Sequence, residues 1–286
     1  MSVSKNSIAA GPFKWFYRKA GQDRSDSPPV LLLHGLPSHS FGWRAILPVL
    51  ADKGFRVFAP DWVGFGASDK PGAREFDYTP DAFVNALEEF VSALNIEKFS
   101  LIVQGFLGSV GIQYALRHPH RIERLAILNA PIAVTAKLPW KIKQLGLPLL
   151  GDMLTQNPLS VDSTLEGGGR TAISDRDLAI FRQPYSESGD AGRVLMTTIR
   201  NLQLPQSMAE IASGFLPWRQ PDTQVPPFPV TIIWAVKDRY LPVKMAQDFA
   251  TTHIRVDLFL IREGGHYPQE EVPEDVNVAL LRFLRQ

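Results

Sequence analysis

Four short stretches hold the side chains that could do chemistry: His34-Gly35-Leu36-Pro37, Gln104-Gly105-Phe106-Leu107-Gly108-Ser109, Lys237-Asp238 and Gly264-Gly265-His266. A carboxylate and an imidazole, such as Asp238 and His266, are a pair that general acid–base catalysis draws on. On the residues alone a plainer reading stands beside it, in which Asp238 caps the next helix and His266 hydrogen-bonds within a turn. Other chemistries lack their groups. The 286 residues include no cysteine, so a thiolate nucleophile, a Cys-ligated zinc and a disulfide framework are all excluded. No two histidines have metal-ligand spacing with an acidic partner, which predicts no metal, and no cofactor is expected. Gly167-Gly168-Gly169 has no Lys-Ser or Lys-Thr after it, so it reads as a flexible connection and not as a phosphate cradle. His34 is expected to shape its turn. His118, His120 and His253 lie beside surface-type residues at helix ends, where solvated side chains are the expectation.

These stretches must be held by something, and the apolar pattern says what. Val30 to Leu33, Arg56 to Ala59, Phe99 to Val103, Leu125 to Leu128, Val230 to Trp234 and Val256 to Ile261 are β-rich apolar runs without alternation. That is the pattern of parallel strands covered on both faces. Helical segments lie between them. Thr79 is a candidate N-cap with Pro80 at the first helical position, and Phe83, Leu87, Phe90, Val91 and Leu94 follow on one face. Strand and helix in alternation predict an α/β fold with a doubly wound, mostly parallel sheet.

From Pro131 to about Pro227 the strands stop and helical segments appear around Lys141, Asp152, Leu178 and Val194. The capping-box pattern Ser174-Asp175-Arg176-Asp177 precedes an apolar run. The chain is therefore read as a core of residues 1–130 and 228–286, with an inserted helical cap at 131–227 that ends in a Pro-rich return from Pro217 to Pro229. A cap stripe including Leu138, Trp140, Leu145, Leu149 and Met153 could line a cavity, although cap core is its plainer use.

The His-Gly-Leu-Pro turn after the first strand, Asp61-Trp62-Val63-Gly64-Phe65-Gly66-Ala67-Ser68-Asp69 after the next, and the order of the later loops together resemble the α/β-hydrolase superfamily. The likeness is greatest to its haloalkane dehalogenase and epoxide hydrolase branch, and it runs from about Phe13 to the end. The resemblance implies Asp238 as the acid, His266 as the base, and the backbone N–H groups of Leu36 and Phe106 as an oxyanion hole. The family's nucleophile has no counterpart here. The usual register of its strand-to-helix elbow puts Gly105 at the nucleophile position, 14 residues before Pro119, and a register shifted by one puts Phe106 there. Neither can attack. Ser109 lies a helical turn beyond and should point into the helix packing. Dehalogenation is disfavoured, because side-chain N–H donors for halide are replaced by Leu36 and Phe106.

A formal net charge of +1, from 30 Lys plus Arg against 29 Asp plus Glu, supplies no field for nucleic acid. The amino end lacks a signal-peptide core and no apolar run reaches membrane-spanning length, so a soluble, cytoplasmic protein is expected. The expected partner is an uncharged apolar small molecule, contacted by Gln104 and Trp140. Two functions remain open: a hydrolase-like enzyme of ester or epoxide type that uses the dyad with water or direct proton transfer, and a ligand-binding pseudoenzyme of the same fold.

Overall fold

The computed structural model describes residues 1–22, 28–169, 173–187, 189–219 and 227–286. Its sheet has eight strands: β1 (Ser4–Ala10), β2 (Phe13–Ala20), β3 (Val30–Leu33), β4 (Val57–Pro60), β5 (Phe99–Gln104), β6 (Ile122–Leu128), β7 (Val230–Ala235) and β8 (Val256–Ile261). Their order is β1-β2-β4-β3-β5-β6-β7-β8. β3 to β8 run parallel, whereas β1 and β2 form an antiparallel hairpin that continues antiparallel onto β4.

Successive residues of a strand point to opposite faces, and the core divides accordingly. Leu31, Leu33, Leu101 and Val103 pack with α2 (Pro80–Ala93) and α3 (Gly108–Arg117), after α1 (Leu47–Asp52) in chain order. Val30, Leu32 and Ile102 pack on the other face with Leu47 and Leu50 of α1. α2 starts as its sequence predicts: the Thr79 hydroxyl accepts the Ala82 N–H, Pro80 sits in the first turn, and Phe83, Leu87 and Phe90 are buried.

Between β6 and β7 lies the cap: α4 (Trp140–Lys143), α5 (Leu150–Thr155), α6 (Leu159–Gly168), α7 (Asp175–Glu187), α8 (Gly189–Asn201) and α9 (Leu204–Gly214). Ser174 caps α7 through the Asp177 N–H, but the Asp177 carboxylate reaches out to Arg44 of the core at 2.9 Å instead of closing a capping box. The triple glycine is not a connector. Gly167 and Gly168 close α6, and Gly169 follows as its C-cap. Most of the Pro-rich return, residues 220–226, lies outside the described residues. The chain ends with α10 (Val243–Thr252), α11 (Pro268–Glu271) and α12 (Pro273–Leu284), the last joining the α1 face of the sheet through Val276 and Leu280.

Candidate active site

The chain leaves β3 for β4 on one side and β5 on the other, so the carboxyl ends of β3 and β5 form the switch point where doubly wound sheets place their ligands. Gly35 and Gly105 meet there. A Cβ on Gly35 would stand 2.9 Å from the Gly105 Cα, so the loop after β3 has no room for a side chain at this crossing, whereas a Cβ on Gly105 would stand 3.2 Å from the Gly35 Cα, a tight but tolerable approach. Gly105 has φ +68°, a conformation costing an L-residue roughly 1–2 kcal/mol. A Cβ on Gly105 would stand 3.5 Å from Nε2 of His266. Of the two registers open to the sequence, Gly105 is the one at the left-handed turn.

The imidazole is held from behind. Nδ1 of His266 lies 2.9 Å from Oδ2 of Asp238, in the loop after β7. A carboxylate accepts, so Nδ1 donates and the neutral ring carries its lone pair on Nε2. Asp238 is saturated: Asn129 Nδ2 donates to Oδ2 at 2.8 Å, and the N–H groups of Tyr240 and Leu241 donate to Oδ1 at 2.7 and 2.9 Å. Asn129 is itself fixed by bonds to both the C=O and N–H of Ala235. His266 Nε2 is fully buried and has no hydrogen-bond partner. The Ser109 hydroxyl donates to the Phe106 carbonyl at 2.8 Å, inside the helix turn and not toward the imidazole.

The backbone N–H groups of Leu36 and Phe106 follow Gly35 and Gly105, the two glycines that meet at the crossing. Both residues are buried, and among the described residues neither N–H donates to a backbone or side-chain acceptor. Buried N–H groups are seldom left unpaired in folded proteins. The Leu36 loop is clamped by two phenols: Tyr267 donates to the Leu36 carbonyl at 2.8 Å, and Tyr185 of α7 to the Pro37 carbonyl at 3.1 Å. His34 does shape its turn. Its Nε2 accepts the Trp62 N–H at 3.1 Å while Nδ1 meets the Gly35 carbonyl at 3.0 Å, and burial pushes its pKa down to about 4.

Three expectations need correction. Gln104 is fully buried and donates through Nε2 to the His266 carbonyl at 2.7 Å, so it holds the histidine loop, with its Oε1 left unpartnered. Trp140 is 63% exposed, because Ile142 and Leu145 take the buried face of its segment; Leu149 and Met153 are exposed as well. His253 is buried, stacked on Phe249 at 3.8 Å and hydrogen-bonded by Arg219.

The cap closes over the dyad through the glycines read as a flexible connection. The Gly168 carbonyl accepts the His266 N–H at 2.9 Å and the Arg239 N–H at 3.4 Å, tying the acid loop and the histidine loop to one atom. A Cβ on Gly168 would come within 2.6 Å of the Tyr240 ring and 2.8 Å of the His266 Cβ. The Phe106 ring lies 5.4 Å from the imidazole, tilted by 34°. Among the described residues no group of three or more His, Cys, Asp or Glu could hold a metal, and no helix is long and apolar enough to cross a membrane.

A doubly wound sheet with a helical cap, a left-handed turn after β5, and acid and histidine loops after β7 and β8 define a capped α/β hydrolase. The family described as alpha/beta hydrolase fold matches residues 28–149. An uncharacterized protein of Mycobacterium tuberculosis is 30% identical, with 94% of this chain and 78% of that one covered. A cis-3-alkyl-4-alkyloxetan-2-one decarboxylase of Xanthomonas campestris is 27% identical over 92% of this chain and 90% of its own. The crystal structure of haloalkane dehalogenase DbeA from Bradyrhizobium elkani superposes with a TM-score of 0.84 at 23% identity, covering 99% of this chain and 98% of that one. The chain belongs to the α/β-hydrolase superfamily.

Proposed function

We propose that the protein acts on an uncharged, largely apolar small molecule through the His266–Asp238 dyad, with water or direct proton transfer in place of a covalent nucleophile. One observation carries this reading: a buried imidazole oriented by a carboxylate, whose unpartnered Nε2 faces the space where Gly105 lacks a side chain. Gln104 Oε1, also buried and unpartnered, belongs to the adjacent residue. A water donating to both acceptors would satisfy them and stand where a nucleophile's oxygen stands elsewhere in the superfamily. His266 takes the proton as that water attacks an ester carbonyl, whose developing oxyanion the Leu36 and Phe106 N–H groups receive, or an epoxide carbon; the same proton then returns from Nε2 to the alkoxide released as the ester or epoxide C–O bond breaks. A covalent step is lost, but the remaining parts of such a site retain on the order of 10³–10⁴-fold over water. The name of the Xanthomonas relative, a decarboxylase of alkyl-substituted oxetanones, supports an uncharged apolar substrate. The test is a panel of small esters and epoxides assayed with wild type and His266→Ala in parallel. Turnover that falls at least tenfold in the variant supports the reading; equal rates refute it.

A second reading, a ligand-binding pseudoenzyme, is favoured by the burial of the whole elbow and by the Phe106 ring beside the imidazole. It predicts ligand binding that survives His266→Ala with no turnover in either protein.

A further inference from the structure

A cavity of about 520 Å³ lies between α7 and the core, and it shares no lining residue with the elbow. Its core wall is β1 and β2 with the loops after β3 and β4; its cap wall is Ile180, Gln183 and Pro184 of α7. The volume is in the range that small organic ligands occupy. Three cations line it, Lys5, Arg18 and Lys70, against one carboxylate, Asp61. Asp61 is already committed: its two oxygens accept the N–H groups of Ser40 at 2.6 Å and Ala67 at 2.8 Å. Arg18 is half-buried, and burial lowers its pKa against the pull of Asp61. Its Nε is held by the Ser40 hydroxyl at 3.2 Å, its guanidinium lies 5.5 Å from the Phe41 ring centroid, and no carboxylate among the described residues forms an ion pair with it.

We propose that this cavity is a second ligand site, for a small organic carboxylate that sets its charge on the terminal nitrogens of Arg18 and its apolar part against Phe41 and Ile180. The planar guanidinium, oriented through Nε, presents the fork that a carboxylate accepts in bidentate fashion. A ligand here contacts the core and α7 together, so it ties the cap down. The site is independent of the dyad.

The test is calorimetric titration of the full chain with benzoate, its uncharged analogue benzamide, and inorganic phosphate. Benzoate is expected to bind and benzamide and phosphate to bind at least tenfold more weakly. Arg18→Gln should weaken benzoate at least tenfold. So should Gln183→Glu, a substitution at an exposed position of α7 that sets a competing carboxylate at the cavity wall. His266→Ala should leave benzoate binding unchanged. Equal binding of benzoate and benzamide, equal binding of phosphate, retention of affinity in folded Arg18→Gln or Gln183→Glu, or loss in His266→Ala would each overturn the assignment.

Discussion

Gly105 and His266 stand so that a single carbon added to the glycine would lie 3.5 Å from Nε2 of the imidazole. A hydroxyl on that carbon comes within hydrogen-bond reach of the ring. Gly105→Ser is therefore expected to raise hydrolysis of p-nitrophenyl esters above wild type, with a burst of nitrophenol marking the acyl-enzyme. The positive φ makes the change costly, by about 1 kcal/mol, or a thermal midpoint lowered by about 3 °C. A folded Gly105→Ser protein inert toward a broad ester panel would show that the imidazole and the oxyanion donors are not aligned.

Asp238 accepts four hydrogen bonds and donates none, so Asp238→Asn forces an amide N–H against a donor. That mismatch at a fully buried side chain is expected to cost about 3 kcal/mol, read by urea denaturation. Asn129→Ala, which removes one of the four donors, is expected to cost about 1–2 kcal/mol. An Asp238→Asn protein as stable as wild type would mean that the carboxylate is not bonded as described.

Gly168→Ala tests whether the cap positions the histidine. The added methyl group meets Tyr240 and the His266 Cβ well inside contact distance, so the histidine loop or α6 must shift. Any activity that depends on His266 is expected to fall at least tenfold in kcat, while thermal stability falls by only a few degrees. A variant with unchanged kcat would show that the contact between α6 and His266 does not set the imidazole's position.

The six parallel strands were legible because most of their residues are apolar, and the covered strands β3, β5 and β7 are buried at every position. The β1–β2 hairpin was not, because its residues are largely exposed or half-buried and carry Lys, Arg, Ser and Asn. Asp238 and His266 were readable as loop motifs. Asn129 was not: its only signal is a polar residue ending the apolar run Leu125–Leu128, and its role exists only once β6 lies beside β7. Gly168 was misread for the same reason. Glycine in sequence signals freedom or close approach equally, and only the long-range packing against His266 decides which.

In α7 the Ile180 carbonyl has lost its helical donor, because residue 184 is proline. His39 supplies the replacement. Its Nδ1 accepts the Phe41 N–H at 3.4 Å, so Nε2 is the donor that meets the Ile180 carbonyl at 3.3 Å. His39→Ala is expected to cost about 1–2 kcal/mol. Pro184→Ala restores the helical N–H, so the same histidine change in that background should cost less than half as much, a coupling that a four-protein urea cycle measures. Equal losses in both backgrounds would show that His39 does not serve that carbonyl.

His34 makes stability depend on acid. Burial lowers its folded pKa to about 4, and the Trp62 N–H aimed at Nε2 requires the neutral ring; the unfolded chain restores the ordinary value of 6.5. Between these values the unfolded state binds the proton and the folded state does not, so unfolding becomes easier as pH falls. The contribution is complete above pH 6.5 and is lost progressively down to pH 4, amounting to about 3 kcal/mol. His39 and His253, also held below the ordinary value by burial, act in the same direction. The specific readout is therefore a difference. His34→Gln keeps an acceptor for Trp62 but cannot titrate, so its urea stability should fall less steeply than wild type between pH 6.5 and 4, and parallel curves for the two proteins would remove His34 from the acid response.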